Sequence, residues 1–341
     1  MDFLQILSNT ASQILAPATF GYALAAIGLS MHFGFAGLLN MGVAGFMAIG
    51  AYGFAISILT FGLAWPLAAL IGFAAAVVFA LIMGIPTLRL RGDYLAIVTI
   101  AAAEILRLVF LTSTFRGVTG SADGLFNFQS GWRGENNPLP AGDYGFGPWT
   151  YNANRWYVIL IGLVAVAVAV LLVWMLMRSP WGRVIRGIRE DEDAVRALGK
   201  NVFAFKMQAL VIGGVIIAAG GIITAMDTNV NPNVYVTSQT FFVYTALLLG
   251  GAATIFGPVL GAVLFWVVRA FLSNLLPALS SIGLLPFLTA DQSQMLVFVI
   301  VGVALHAARD LPPPGHPGQQ EGDDLCPMSP RRSCPALRRR G

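Results

Sequence analysis

Ionisable side chains are scarce in this sequence, and two of them, Glu104 and Arg107, stand inside an apolar run. Three residues apart on one helical face, carboxylate and guanidinium can pair and turn toward a bundle interior, because either charge alone is costly in hydrocarbon. A packing ion pair is favoured here over a contact to a transported solute. The other chemistry-bearing residues form no constellation. The histidines are His32, His306 and His316, and Cys326 and Cys334 lie in a polar tail, so neither a metal-ligand spacing nor a disulfide framework is present. Ser113, Ser121 and Ser238 have no His and Asp partners nearby in the sequence. The glycine-rich segments are not followed by Lys-Ser or Lys-Thr, so there is no P-loop and the chain does not bind ATP in that manner. No cofactor is expected. These residues describe a conduit, not an enzyme.

The densest charge lies in one stretch, Arg178 to Lys206, RSPWGRVIRGIREDEDAVRALGKNVFAFK, which separates two apolar runs and holds both lysines of the chain. Such a stretch cannot sit in hydrocarbon. Within it, IREDEDAVRALG predicts one short amphipathic helix. Ile188, Ala194, Val195 and Leu198 gather on one side, Glu190, Asp191, Asp193 and Arg196 face water, and Gly199 supplies a C′ stop. A helix displayed between two membrane spans is a handle for another polypeptide; the plain alternative is an ordinary solvated loop.

Composition decides which elements position these groups. With 57% hydrophobic and only 11% charged residues in 341, and a mean hydropathy of +0.76, the chain is far from the roughly 25% charge of soluble domains and reads as an integral membrane protein. The net charge of +4 does not indicate nucleic acid, because the basic residues sit in loops and a tail instead of on one domain face. Positive-inside bias accounts for it. No basic region precedes the first apolar run, so the N-terminus reads as an uncleaved span, not a signal peptide.

Apolar runs cover about residues 13–30, 36–58, 65–85, 95–112, 156–177 and 207–226. The block from Thr240 to about Leu276 exceeds one crossing, at about 1.5 Å per residue and about 30 Å of hydrocarbon. It therefore splits at GGAATIFGP, Gly250 to Pro258, and a last run follows from Gln294 to His306. The expected fold is all-α, a polytopic transmembrane helical bundle of about eight to ten spans that include short or broken Gly-rich helices. The second run carries Gly34, Gly37, Gly42, Gly45, Gly50 and Gly53, which permits close helix approach, or a break where backbone lines a cavity. Residues 115–155 are polar, with Arg116, Arg133 and Arg155 balanced by Asp123, Glu135 and Asp143, as expected of an outer loop. Trp149, Tyr151, Trp156 and Tyr157 read as an interfacial aromatic belt. Placing 178–206 inside puts Arg89 and Arg91 inside, the loop 115–155 and the N-terminus outside, and the C-terminus in the cytoplasm. Residues 1–308 form the membrane domain, and 309–341, rich in Pro, Gly and Arg, are expected to be a disordered tail. Asn40, Gly42, Tyr94 and Glu104 stand in broken or polar stretches and are candidates to line a translocation path, although packing competes as the role of each.

Five ordered stretches carry a family resemblance. IREDEDAVRALG with KNVFAFKMQAL behind it resembles the cytoplasmic coupling loop of the permease subunits of binding-protein-dependent ABC importers, and more narrowly the branched-chain amino-acid permease family. The general importer signature is Glu-Ala-Ala, three residues, then Gly. Asp193, Ala194, Val195 and Gly199 occupy those positions, with Asp keeping the carboxylate and Val enlarging the apolar contact. The narrower frame of Arg186, Ile188, Arg189, Glu190, Asp191 and Gly199 is intact. GFAGLLNMGVAGFMAIGAY from Gly34, LRGDYLAIVTIAAAEILR from Leu90, TGSADGL from Thr119 and GGAATIFGPVLGA from Gly250 are similar to the same family in the same order, covering about residues 20 to 308.

The resemblance implies the longer of two permease types in the bacterial inner membrane. A periplasmic substrate-binding protein would dock on the outer loop, a second homologous permease subunit would enclose the path, and two ABC ATPase subunits would take the coupling residues Arg186, Arg189, Glu190, Asp191, Asp193, Ala194, Val195 and Gly199. Branched-chain or other hydrophobic amino acids are the implied cargo, with urea or short amides as the alternative. An ion-coupled secondary transporter is the rival class, but it would carry more unpaired carboxylates in its spans than Glu104. A membrane-embedded enzyme would need a cluster of His or acidic residues near an interface. From Asp310 onward the tail departs from the family's short basic ending; a frame change near the end of the reading frame or a lineage-specific extension explains it.

Overall fold

The computed structural model describes residues 3–88, 92–133 and 137–281, with single helical positions at 292, 296–297, 299–300 and 302–303. Arg89, Arg91, Glu135, most of the run Gln294–His306, and the tail with Cys326, Cys334, His306 and His316 lie outside the described residues. Met1–Val301 group as one compact unit and Gly302–Gly341 as a second, of which only 302–303 are described.

Among the described residues, seven helices are long and apolar enough to cross a membrane. They are α2 (Pro17–Leu29) with its π-helical extension Ser30–Phe35, α3 (Val43–Phe61), α4 (Trp65–Thr87), α5 (Gly92–Leu111), α7 (Ala153–Arg178), α10 (Val202–Asp227) and α12 (Gly257–Ser281). The shorter helices are α1 (Phe3–Ser12), α6 (Arg116–Thr119), α8 (Pro180–Glu190), α9 (Glu192–Ala197) and α11 (Thr237–Gly250). The α11 helix has 14 residues, so it spans about 21 Å and falls short of a full crossing. The expected split of the long apolar block occurs between Gly250 and Gly257, where α12 turns back against α11. A Cβ at Gly261 would stand 2.0 Å from the Ala246 carbonyl oxygen, so only glycine admits that crossing. The chain is a polytopic helical bundle.

Burial sorts the spans into an inner and an outer set. Over an apolar 18-residue stretch of each, 89% of the residues are buried in the Pro17–Phe35 span, 72% in α10 and 67% in α3, against 33% in α4, 28% each in α7 and α12, and 17% in α5. The inner three meet through small residues, as membrane helices do when van der Waals packing must replace hydrophobic drive. A Cβ at Gly28 would lie 2.4 Å from the Gly213 carbonyl oxygen, and one at Gly50 would lie 2.4 Å from that of Ala218.

The described residues of the loop 115–155 are held by contacts within the protein. Gln129 Nε2 donates to the carbonyls of Ala225 (3.0 Å) and Thr228 (2.9 Å), and an Arg133 Nη donates to those of Met226 (3.3 Å) and Asp227 (2.6 Å). These are the carbonyls that end α10, which have no acceptor role left inside the helix. Burial lowers the Arg133 pKa, and Asp227 opposes the shift. Phe128 and Trp132 fill the space over Phe54. A two-stranded hairpin, β1 (Asp143–Tyr144) and β2 (Tyr151–Asn152), completes the loop. The aromatic residues expected in a membrane belt have protein partners. Trp149 Nε1 donates to the Ala11 carbonyl at 2.9 Å, and the Tyr151 hydroxyl donates to that of Ser12. Both tether α1, an element that the periodicity before Gln13 does not announce.

Candidate functional site

Two neighbouring regions hold the predicted residues other than Tyr94 and Glu104. The first is the charged segment. It forms two helices, not the single helix expected. Asp191 takes an extended backbone (φ −151°, ψ 105°) and separates α8 from α9. Its Oδ1 accepts from the amides of Asp193 and Ala194, each at 3.0 Å, so it faces water as expected but as the N-cap of α9, not from mid-helix. The break also corrects the expected apolar side. Ile188 and Val195 are buried, whereas Ala194 and Leu198 are exposed, Leu198 to 78%. Two short helices joined at an angle cannot share one helical stripe.

The rest of α9 agrees with its sequence. Glu192 and Asp193 sit in the positive first turn, and Arg196 pairs with both at 2.8 Å. Glu192 also meets Lys206 at the start of α10. At the far end the Gly199 amide bonds the Arg196 carbonyl (2.9 Å) and the Lys200 amide bonds that of Val195 (3.4 Å). This is a Schellman closure, and Gly199 adopts the left-handed φ of +75° that it needs. Among the described residues, no atom beyond its own chain neighbours lies within 4 Å of where a Gly199 Cβ would be. The α8 helix is fastened separately. Ile185 and Ile188 are buried, and Arg186 donates to the Met177 carbonyl at 2.7 Å, near the end of α7. Glu190 is exposed. Arg189 reaches across to donate to the Gly34 carbonyl at 2.5 Å. Between this segment and the bundle lies a cavity of about 1060 Å³, lined by Gly37, Leu38, Leu88, Leu95, Lys200 and Lys206 among others.

The second region is the broken start of the Gly-rich run. After the π-helical turn, residues 36–42 are non-helical and yet mostly buried. Irregular backbone at membrane depth requires every polar group to be satisfied by protein. Asn40, fully buried, does most of this. Its Oδ1 accepts from the Gly42 amide at 2.9 Å, its side-chain amide bonds His32 Nδ1 at 3.0 Å, and its carbonyl accepts from the Tyr244 hydroxyl at 2.9 Å. With Nδ1 accepting, His32 Nε2 carries the proton and donates to the Leu210 carbonyl at 3.0 Å. Thr99 Oγ1 accepts from the Met41 amide (2.9 Å), and Thr240 Oγ1 from that of Ala44 (3.1 Å). A Cβ at Gly42 would sit 2.9 Å from the Thr99 carbonyl oxygen.

Of the four path candidates, the structure thus brings Asn40 and Gly42 together. Tyr94 is 62% exposed on α5. Glu104 is held by Arg107 through Nε (3.0 and 2.9 Å) and Nη (2.5 Å), the within-helix pair that the spacing predicts. His32, Thr99, Thr240 and Tyr244 were not legible as site residues. Their partners lie up to 204 positions away, and no local pattern marks them.

Comparison with known proteins gives this geometry its context. Residues 13–305 match the family model described as the branched-chain amino acid transport system / permease component. The chain is 33% identical, over 76% of its length, to the high-affinity branched-chain amino acid transport system permease protein LivM of Salmonella typhimurium, covering 63% of that protein. It is 32% identical, over 76% of its length, to LivM of Escherichia coli, again covering 63%. The nucleoside ABC transporter permease protein NupC of Lactococcus lactis is 27% identical over 81% of this chain and 86% of its own length. The chain therefore spans just under two thirds of the two LivM relatives. With the family model matched across nearly all of the described bundle, the chain belongs to the branched-chain amino acid transport system permease family.

Proposed function

We propose that this permease is the membrane-spanning subunit of an ATP-driven importer, and that α8 and α9 are its contact to a separate ATPase. The observation that carries the reading is the construction of α9. A six-residue helix, too short to be stable alone, is capped at both ends and internally paired, while Ala194, Ala197 and Leu198 are turned to the outside. An apolar face on a rigid, charged projection fits a groove on a partner. Arg186, Arg189, Glu190, Asp191, Asp193, Val195 and Gly199 build that projection, and Ala194 is part of its face.

In this reading the charged segment is cytoplasmic, the loop 115–155 and the N-terminus face the periplasm, the C-terminus is cytoplasmic, and the protein sits in a bacterial inner membrane. Residues 1–308 are the permease domain, with 309–341 a separate tail. Two ATPase subunits, a second homologous permease and a substrate-binding protein complete the machine. The cargo is a branched-chain or other hydrophobic amino acid. The likeness to NupC, and to the guanosine ABC transporter permease protein NupQ of Bacillus subtilis at 27% identity, favours a nucleoside as the second reading.

The test is uptake of labelled leucine and of guanosine into proteoliposomes holding the full set of subunits. Leucine uptake that requires ATP, the ATPase subunits and the binding protein is expected. Guanosine uptake in its place would move the cargo to the second reading. Uptake of either driven by an ion gradient without the ATPase would overturn the assignment.

A further inference from the structure

The nearness of the two regions raises the question of how displacement of α8 and α9 reaches the spans. Only side chains with two attachments can carry it. Arg189 is one: it leaves α8 and bonds the carbonyl of Gly34 at 2.5 Å, while its Cγ lies 3.2 Å from where a Cβ on Gly37 would be. Gly37 has a φ of +68°, so the arginine stem lies over a backbone turn that admits no side chain without strain. The opposite side of Gly34 is equally filled, since a Cβ there would stand 2.5 Å from the amide nitrogen of Ala253, in the turn joining α11 to α12. The π-helical segment is therefore held between the charged projection and that turn.

From this segment the attachments fan out. His32 bonds α10 through the Leu210 carbonyl and bonds Asn40 through Nδ1. Asn40 bonds the start of α3 at Gly42 and α11 through Tyr244. Met41 and Ala44 bond α5 and α11 through Thr99 and Thr240. His32 and Asn40 are fully buried, so any shift of 30–42 must carry these partners or break buried hydrogen bonds. The cavity of about 1060 Å³ beside the projection leaves α9 space to move toward Leu88 and Leu95.

We propose that Arg189, His32 and Asn40 are positioning residues of a relay, in which movement of α8 and α9 displaces segment 30–42 and thereby shifts α5, α10 and α11 together. The relay rests on the reading of α8 and α9 as the ATPase contact. Satisfying the buried backbone of 36–42 explains Asn40 and the two threonines; it does not explain an arginine drawn from a surface helix onto Gly34. Rigid links between bistable packings are how small displacements are amplified, and the demonstration required is energetic coupling, not adjacency.

Two measurements test it. In the purified chain alone, Arg189→Gln should speed hydrogen exchange at the amides of Met41, Gly42 and Ala44, while Arg183→Gln, a change to an exposed arginine on the same helix, should not. Equal exchange in both variants would overturn the relay whether or not an ATPase binds. In the reconstituted complex with a leucine-loaded binding protein, Arg189→Gln and Asn40→Ala should each reduce stimulation of ATP hydrolysis by about tenfold. The double variant should be no worse than either single one, and Arg189→Lys should recover part of the response. Losses that multiply in the double variant, or that follow only the amount of folded protein, would refute serial transmission. Should Asn40→Ala fail to fold, His32→Gln takes its place in the cycle with the same expectations. A wild-type complex without stimulated hydrolysis would instead refute the ATPase-contact reading, leaving the exchange experiment to judge the relay.

Discussion

At the scale of single residues, Glu104 and Asp191 show the two ways a carboxylate is used here. Glu104 is matched by Arg107 one helical turn away, as its spacing requires, and both partners belong to α5. Glu104→Gln removes the counter-ion of a guanidinium in an apolar span, so we expect less inserted protein but unchanged uptake per folded molecule. Quantifying membrane-extracted protein alongside initial uptake rates checks this. Asp191 is one of four acidic residues in a row of four, and any of them could have capped a helix, which is why the break between α8 and α9 was not legible. Asp191→Ala should cost about 1 kcal/mol of α9 stability, the usual loss for an N-cap. Hydrogen exchange at Asp193 and Ala194 should accelerate, with no change at Ile185 on the other side of the break. His32 was legible only as a lone histidine, because its significance comes from Leu210 and Asn40 and not from its neighbours in sequence.

At the scale of elements, the apolar runs and their breaks were readable because hydrocarbon thickness and the helical rise leave few alternatives. The split of α11 from α12 follows from 250–258 alone. The non-helical 36–42 could be anticipated only as one of two outcomes, since glycines permit both close packing and a break, and the choice is made by Asn40 within the segment together with Thr99, Thr240 and Tyr244 from other parts of the chain. The loop 115–155 hides a second element-scale device. Gln129 and Arg133 serve as the C-terminal cap of α10 from nearly a hundred residues upstream. Replacing both by Ala should leave those carbonyls without protein partners at a cost of about 1–3 kcal/mol each where water cannot enter. The midpoint of thermal unfolding of the purified protein should fall, and limited proteolysis should begin in 115–155. An unchanged midpoint would mean that water replaces both side chains.

At the scale of the whole molecule, hydropathy shows that spans exist but not which of them lie inside, because lipid-facing and protein-facing surfaces are equally apolar. The inner set of α2, α3 and α10 is marked instead by glycine at the crossings. Gly50→Leu should wedge α3 from α10, since even the first added carbon meets the Ala218 backbone. Overpacking of this kind costs typically about 1–3 kcal/mol or more, and it should appear as a large loss of monodisperse protein in detergent. The same architecture packs Val195 of α9 into the bundle but leaves Ala194, Ala197 and Leu198 uncovered, and the assignment of α8 and α9 turns on what covers them. Its most direct test is Gly199→Trp in the complex reconstituted with ATPase subunits, a second permease and binding protein. The left-handed turn at Gly199 cannot hold a bulky side chain without strain, and the open space around it is where a partner must fit. We predict normal insertion of the variant with loss of both stimulated ATP hydrolysis and leucine uptake; hydrolysis and uptake at the wild-type level would contradict the assignment of α8 and α9.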